Sequence, residues 1–175
     1  FMGLKDDLMV LTSKAKVILQ SGAIFFLLLN QDLWLTNFHG FLGIYEIPYL
    51  ISFLLTFFIV LYIINSYNLI DGIDGLASGL AIIAATTFGI WFYVAGNVQF
   101  AILSFALVGS LGGFFIYNVF GHRNKLFMGD TGSLIIGLVI SALVVKFNEF
   151  NVNISEFYAI KAAPSVSFAI IIIPL

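Results

Sequence analysis

The chain contains no cysteine and only 2 histidines among its 175 residues. That excludes disulfides and thiolate metal sites, and it leaves the redox compartment undetermined. Charge is almost as scarce: Asp, Glu, Lys and Arg make up 9% of the chain and the formal net charge is -2. No basic patch exists to neutralise phosphates, which argues against a nucleic-acid partner. Internal repeats and low-complexity segments are missing, and no basic n-region ahead of the first apolar run marks a cleavable signal. The chain opens on Phe1 and stops at IIIPL within an apolar run, so it reads as a single domain, 1–175, truncated at both ends.

What is present is mostly apolar. The chain is 61% hydrophobic with a mean hydropathy of +1.10, which several membrane spans explain and no soluble domain needs. The expected fold is all-α, a polytopic transmembrane helical bundle of about six spans. Residues 1–20 hold Asp6 and Asp7, then Lys14 and Lys16, and read as a surface loop. The spans follow as 15–29 with Lys16 at its mouth, 49–67 after Pro48, 76–96, 98–120, 131–147 and 165–175. Residues 30–48, with Trp34, Phe38, Phe41, Tyr45, Gly40 and Gly43, suit a short interfacial hairpin in which His39 takes part in the packing. Gly109, Ser110, Gly112 and Gly113 offer a face for close helix packing.

Polar residues concentrate where spans meet. NSYNLIDGIDGLASGL, 65–80, carries Asn65, Asn68, Asp71 and Asp74 at three-residue steps, which gathers them on one side of a helical or turn-like backbone. A second loop, GHRNKLFMGD, supplies His122, Arg123, Lys125 and Asp130. Counting crossings puts Asp6, Asp7, Asp71, Asp74 and Asp130 on one face. Lys5, Lys14, Lys16, Arg123 and Lys125 share that face while Lys146 and Lys161 lie opposite, so the acidic face is expected to be cytoplasmic.

Converging carboxylates repel and call for a cation. Oxygen ligands with no cysteine and few histidines favour Mg2+ or Mn2+ over Zn2+, and such a cation commonly also holds a phosphate. Residues 130–133 also resemble a helix N-terminus, whose free N–H groups favour anions. The plainer account makes Asp74 and Asp130 ordinary helix caps and Asn65 and Asn118 interfacial polar residues. It serves each residue singly but leaves DGID, DD and MGD on the same face unexplained.

The segments FMGLKDDLMVLTSKAKVILQ, NSYNLIDGIDGLASGL and NKLFMGDTGSL, in this order, resemble the polyprenyl-phosphate N-acetylhexosamine-1-phosphate transferases, glycosyltransferase family 4. The resemblance covers nearly the whole chain. It implies a transferase that moves a sugar 1-phosphate from a UDP-N-acetylhexosamine to polyprenyl phosphate at the cytoplasmic face of the inner membrane, releasing UMP. It also implies catalytic roles for Asp6 and Asp7, one of them deprotonating or positioning the lipid phosphate, and a Mg2+ ligand in Asp130. By the same resemblance Asn68, Asp71, Asp74 and Asn118 face the nucleotide, Phe127 stacks on uracil and Lys16 lies near the diphosphate. The hairpin favours UDP-N-acetylglucosamine over UDP-MurNAc-pentapeptide as donor, and relatives of this kind often form homodimers. The family's His-rich loop lies outside these residues. A membrane cation transporter with clustered Asp and Asn side chains is the alternative reading; it is disfavoured because the spans themselves are almost free of ionisable groups.

Overall fold

The computed structural model describes residues 2–8, 12–29, 31–40, 43–154, 158–160 and 162–172. Among them, the helices are α1 (Met2–Leu8), α2 (Ser13–Leu27), α3 (Tyr49–Ile70), α4 (Leu76–Val94), α5 (Val98–Phe120), α6 (Gly129–Asn153) and α7 (Ala163–Ile172). Helices α3, α4, α5 and α6 are long and apolar enough to cross a membrane, over 22, 19 and 23 residues and, within α6, the 24 residues Gly129–Val152. This is an integral membrane bundle. The expected first and sixth spans correspond to α2, of 15 residues, and α7, of 10, which are shorter than the apolar length that crosses a bilayer core. Phe1, Phe41 and Lys161, named in the sequence reading, lie outside the described residues.

Local chemistry sets the helix ends. The Thr12 side chain accepts from Ala15 N–H to cap α2, and Asn97 accepts from Phe100 N–H to cap α5. Gly96, at φ 84°, turns the chain out of α4 in a conformation that a side chain would strain. Among the described residues of the expected hairpin, Thr36–Gly40 pair with Ile44–Ile47: Phe38 N–H donates to Tyr45 O at 2.8 Å and Ile47 N–H to Thr36 O at 2.9 Å.

Two apolar clusters hold the bundle. Phe88 and Phe92 on α4 meet Ile140, Leu143 and Phe147 on α6, while Ile24, Trp34, Val60, Ile64 and Val145 join α2, the hairpin, α3 and α6. Close helix approach occurs at glycines other than those expected. A Cβ on Gly137 would lie 2.7 Å from Ile64 Cα, and one on Gly89 would lie 2.9 Å from Ser104 Cβ, whereas Gly109, Gly112 and Gly113 have open space beside them. The packing face of α5 is instead the stripe of Ala101, Ser104 and Leu111, which turns those glycines outward. Exposed Phe26, Phe58, Tyr62, Leu69, Ile102 and Ile116 coat the outside with the apolar surface that a bilayer requires.

The fifth expected span, 131–147, is exceeded by the helix that forms it. Helix α6 continues through Lys146, Asn148 and Asn151 to Asn153. The Lys146 ammonium lies 5.7 Å from the Phe100 ring centroid, so its charge is met by an aromatic face at the bundle's end.

Candidate active site

The bundle brings four segments of the sequence to one end. Helix α1 carries Asp6 and Asp7, α2 starts just before Lys16, α3 ends at Asn68 and Asp71, and α6 starts at Asp130. Glycines allow this convergence: a Cβ on Gly3 would collide with the Thr131 backbone, so α1 rests directly on the first turn of α6.

Lys16 is the electrostatic centre. Its ammonium forms an ion pair with Asp6, whose carboxylate is buried, and a second with Asp130 Oδ2 at 3.1 Å. Asn68 completes the Asp130 environment, donating from Nδ2 to Asp130 Oδ1 at 2.6 Å and to Ser133 Oγ at 3.0 Å. Asp7 Oδ1 accepts from Asp130 N–H at 2.8 Å, and its Oδ2 accepts from Thr131 N–H at 3.2 Å and Thr131 Oγ1 at 2.6 Å. These donors, led by the Thr131 hydroxyl, hold the Asp7 carboxyl below its ordinary pKa against the opposing effects of burial and Asp6. The N–H groups at 130 and 131, expected to be open to an external anion, therefore already serve Asp7.

Asp71 is the site's unbalanced charge. Partial burial, then repulsion from Asp130 and Asp7, pushes its pKa up to about 6. The donor chemistry there is all oxygen and short of positive charge. Among the described residues no group of three or more His, Cys, Asp or Glu is placed to hold a metal ion, so a complete protein cage is lacking. This set fits a hard divalent cation of the kind that takes one or two carboxylates and fills its remaining positions with water and phosphate oxygens.

The four residues expected to line up between 65 and 74 separate into three environments. Asn65 turns toward α2, donating to Gln20 Oε1 at 3.2 Å and to Leu61 O at 2.7 Å. Asn68 and Asp71 face Asp130. Asp74 pairs with Lys125 at 2.5 Å across the loop that precedes α6. The cause is that α3 runs on to Ile70, so Asn65 and Asn68 obey helical spacing while Asp74 lies beyond the helix end. Asn118 is buried between the two loops, accepting from Gly75 N–H at 2.6 Å and donating to Leu126 O at 2.8 Å. Phe127 is 75% exposed, with its ring open to solvent at the same end. Thr131 and Ser133 were read only as part of a helix N-terminus; their side chains bind Asp7 and Asn68, a role visible only once α1 and α3 are in place.

The family described as "Glycosyl transferase family 4" matches residues 1–148. The chain is similar to the phospho-N-acetylmuramoyl-pentapeptide-transferases of Staphylococcus aureus strains JH9, Newman and JH1, at 38% identity over 147 residues, 79% of this chain. The match takes in 44% of each relative, so the chain spans less than half the length of these curated proteins.

Proposed function

This chain belongs to glycosyl transferase family 4, and we propose that the protein containing it transfers a phospho-N-acetylhexosamine from its UDP donor to polyprenyl phosphate. The observation that carries this reading is Lys16 bridging Asp6 and Asp130, residues far apart in sequence, beside the charge-deficient Asp71. In the reaction a lipid phosphate oxygen attacks the sugar-bearing phosphorus. A new P–O–P linkage forms, the bond to UMP breaks, and UMP carries the electron pair away.

Two anions must meet for this to happen. Lys16 offers a cation at the point where lipid phosphate and diphosphate approach each other, and Asp6 holds Lys16 in position. Asp71 and Asp130 would hold a divalent cation, Mg2+ or Mn2+, which when bound would neutralise diphosphate charge and stabilise the leaving oxygen. Asn68 orients Asp130, Phe127 offers uracil an exposed ring, and Asp74 and Asn118 shape the nucleotide side of the site. An apolar cavity of about 160 Å³ lined by Gly3, Ile24, Ile64, Thr131 and Leu134 opens beside Thr131. It suits the first isoprene units of the acceptor, with the phosphate head at Lys16. The acidic end faces the cytoplasm and the bundle lies in the inner membrane.

UDP-MurNAc-pentapeptide is the preferred donor, supported by the 38% identity to transferases named for that group. UDP-N-acetylglucosamine is the second reading, supported by the aromatic hairpin that the structure also contains. The test is UMP release by membranes carrying the full-length protein, supplied with each donor in turn, undecaprenyl phosphate and Mg2+. Release that requires acceptor and metal is expected with one donor. Release with neither, in well-expressed protein, would move the assignment to a cation transporter.

A further inference from the structure

We infer that Asp7 is a positioning residue that caps α6 from outside its own helix and thereby fixes Asp130, while its neighbour Asp6 is the aspartate that acts with Lys16. The inference deepens the transferase reading and rests on it for its activity readout alone.

Helix α6 begins without a cap of its own. Its N-cap position is Met128, in αR conformation and with no side-chain hydrogen bond, so the sequence leaves the first N–H groups of a 25-residue helix to be satisfied from elsewhere. Asp7 does this: one carboxylate oxygen takes Asp130 N–H and the other takes Thr131 N–H and Oγ1. A carboxylate at that point also opposes the positive end of the helix dipole.

The surrounding backbone is shaped to admit it. Gly129, at φ 68°, would place a Cβ 3.0 Å from Asp7 Oδ1, so a side chain there would both strain the turn and crowd the cap. Gly3, one turn earlier on α1, lies against the Thr131 backbone and sets the depth at which Asp7 arrives. Asp6, adjacent in sequence, points instead to Lys16. On a helix, successive side chains leave in different directions, so two neighbouring aspartates reach two different targets. The doublet is a division of labour: Asp7 fixes the backbone that carries Asp130, and Asp6 fixes the ammonium that faces the substrates.

The test compares Asp7→Asn, Asp7→Ala and Asp6→Asn in the full-length protein. It reads UMP release, the Mg2+ concentration for half-maximal turnover, and hydrogen exchange of the backbone amides at 128–133. An asparagine still accepts a hydrogen bond at a helix N-terminus but cannot take up a proton as a carboxylate does. Asp7→Asn is expected to keep turnover within about tenfold of wild type and to raise the Mg2+ midpoint several-fold. Asp7→Ala should lose several-fold more, a cap being worth roughly a factor of 2 to 30, and should exchange faster at 130 and 131. Asp6→Asn should lose turnover with exchange at 128–133 unchanged. Asp7→Asn as inactive as Asp7→Ala, with wild-type exchange in both, would overturn the inference and make Asp7 the acid–base group. If wild-type protein releases no UMP from any donor, the transferase reading fails, and exchange alone decides: equal protection of 130 and 131 in wild type and Asp7→Ala removes the cap.

Discussion

The two ends of this bundle are built from different chemistry. At the hairpin end, polar groups are neutral or singly charged and matched: Trp34 Nε1–H donates to Leu28 O at 2.7 Å, Asn151 exchanges two hydrogen bonds with Ile160, and Glu149 accepts from Thr36 N–H and Oγ1. At the acidic end, four carboxylates gather, Asp6 and Asp130 share the Lys16 ammonium, and Asp71 has its pKa pushed up to about 6. Apart from the buried Asn148 Oδ1, the first end is matched as it stands; the other is in an electrostatic debt that the proposed cation would offset. The ordinary helix-cap account names Asp74 and Asp130, yet among the described hydrogen bonds Asp74 pairs with Lys125, and Asp130 with Lys16 and Asn68, rather than capping a helix through their side chains.

That contrast can be broken most sharply at Asp130. Asp130→Asn should reduce UMP release by about 1000-fold or more, the scale expected when a principal charge contact to the transferring group is lost, with thermal stability near wild type. Equal loss from Glu149→Gln, at the far end, would remove the distinction between the ends. Next in size, Lys16→Met should lower turnover by about 100-fold and raise the KM for both substrates, since it leaves Asp6 buried without its cation. A drop in stability with kinetics unchanged would make Lys16 structural.

A smaller effect tests the debt directly. Asp71 titrates near 6 in the folded chain against an ordinary 3.8, so the fold favours its protonated form. That contribution is complete below about pH 4 and is lost as pH rises through 6. Asp71→Asn should therefore be more thermostable than wild type at pH 8 without divalent metal, by of order 1 kcal/mol after solvent screening. The gap should close by pH 4, and Mg2+ should narrow it at pH 8; a gap independent of pH would contradict the charge argument. Smaller again, Glu149→Gln should leave turnover within about twofold and cost the hairpin about 1 kcal/mol, read as a lower melting temperature. Lys125→Met, which breaks a half-exposed pair with Asp74, should cost less than that in stability.

Sequence carried much of this. The apolar runs defined α3 to α6, because a span must satisfy its own backbone and so declares itself by length. The one-face placement of Asp6, Asp71 and Asp130 follows from counting crossings, and the hairpin from its glycines and aromatics. Finer detail was invisible for physical reasons. The apolar run ends at Phe147, yet α6 continues because Asn148 and Asn151 find partners in Ser167 and Ile160, which lie across a loop. The even spacing of Asn65, Asn68, Asp71 and Asp74 hid the helix end at Ile70, between the second and the third. The open glycines of α5 and the working ones at 89 and 137 look alike in sequence, since only the neighbour's distance tells them apart. The direction of Asp7, away from Lys16 and onto another helix, depends on α1 meeting a helix made much later.

That last separation has a meaning in time. The hydrogen bond from Asp130 to Asp7 joins residues 123 positions apart. At a synthesis rate of about 5 to 20 residues per second, roughly 6 to 25 seconds pass between the two emerging from the ribosome. During that interval α1 has no α6 to rest on, and Lys16, made almost at once, is the acidic doublet's early companion. The site is thus finished late and all together, when the fourth long span inserts, and a chain stalled before that point would hold its doublet and its lysine without the centre they serve.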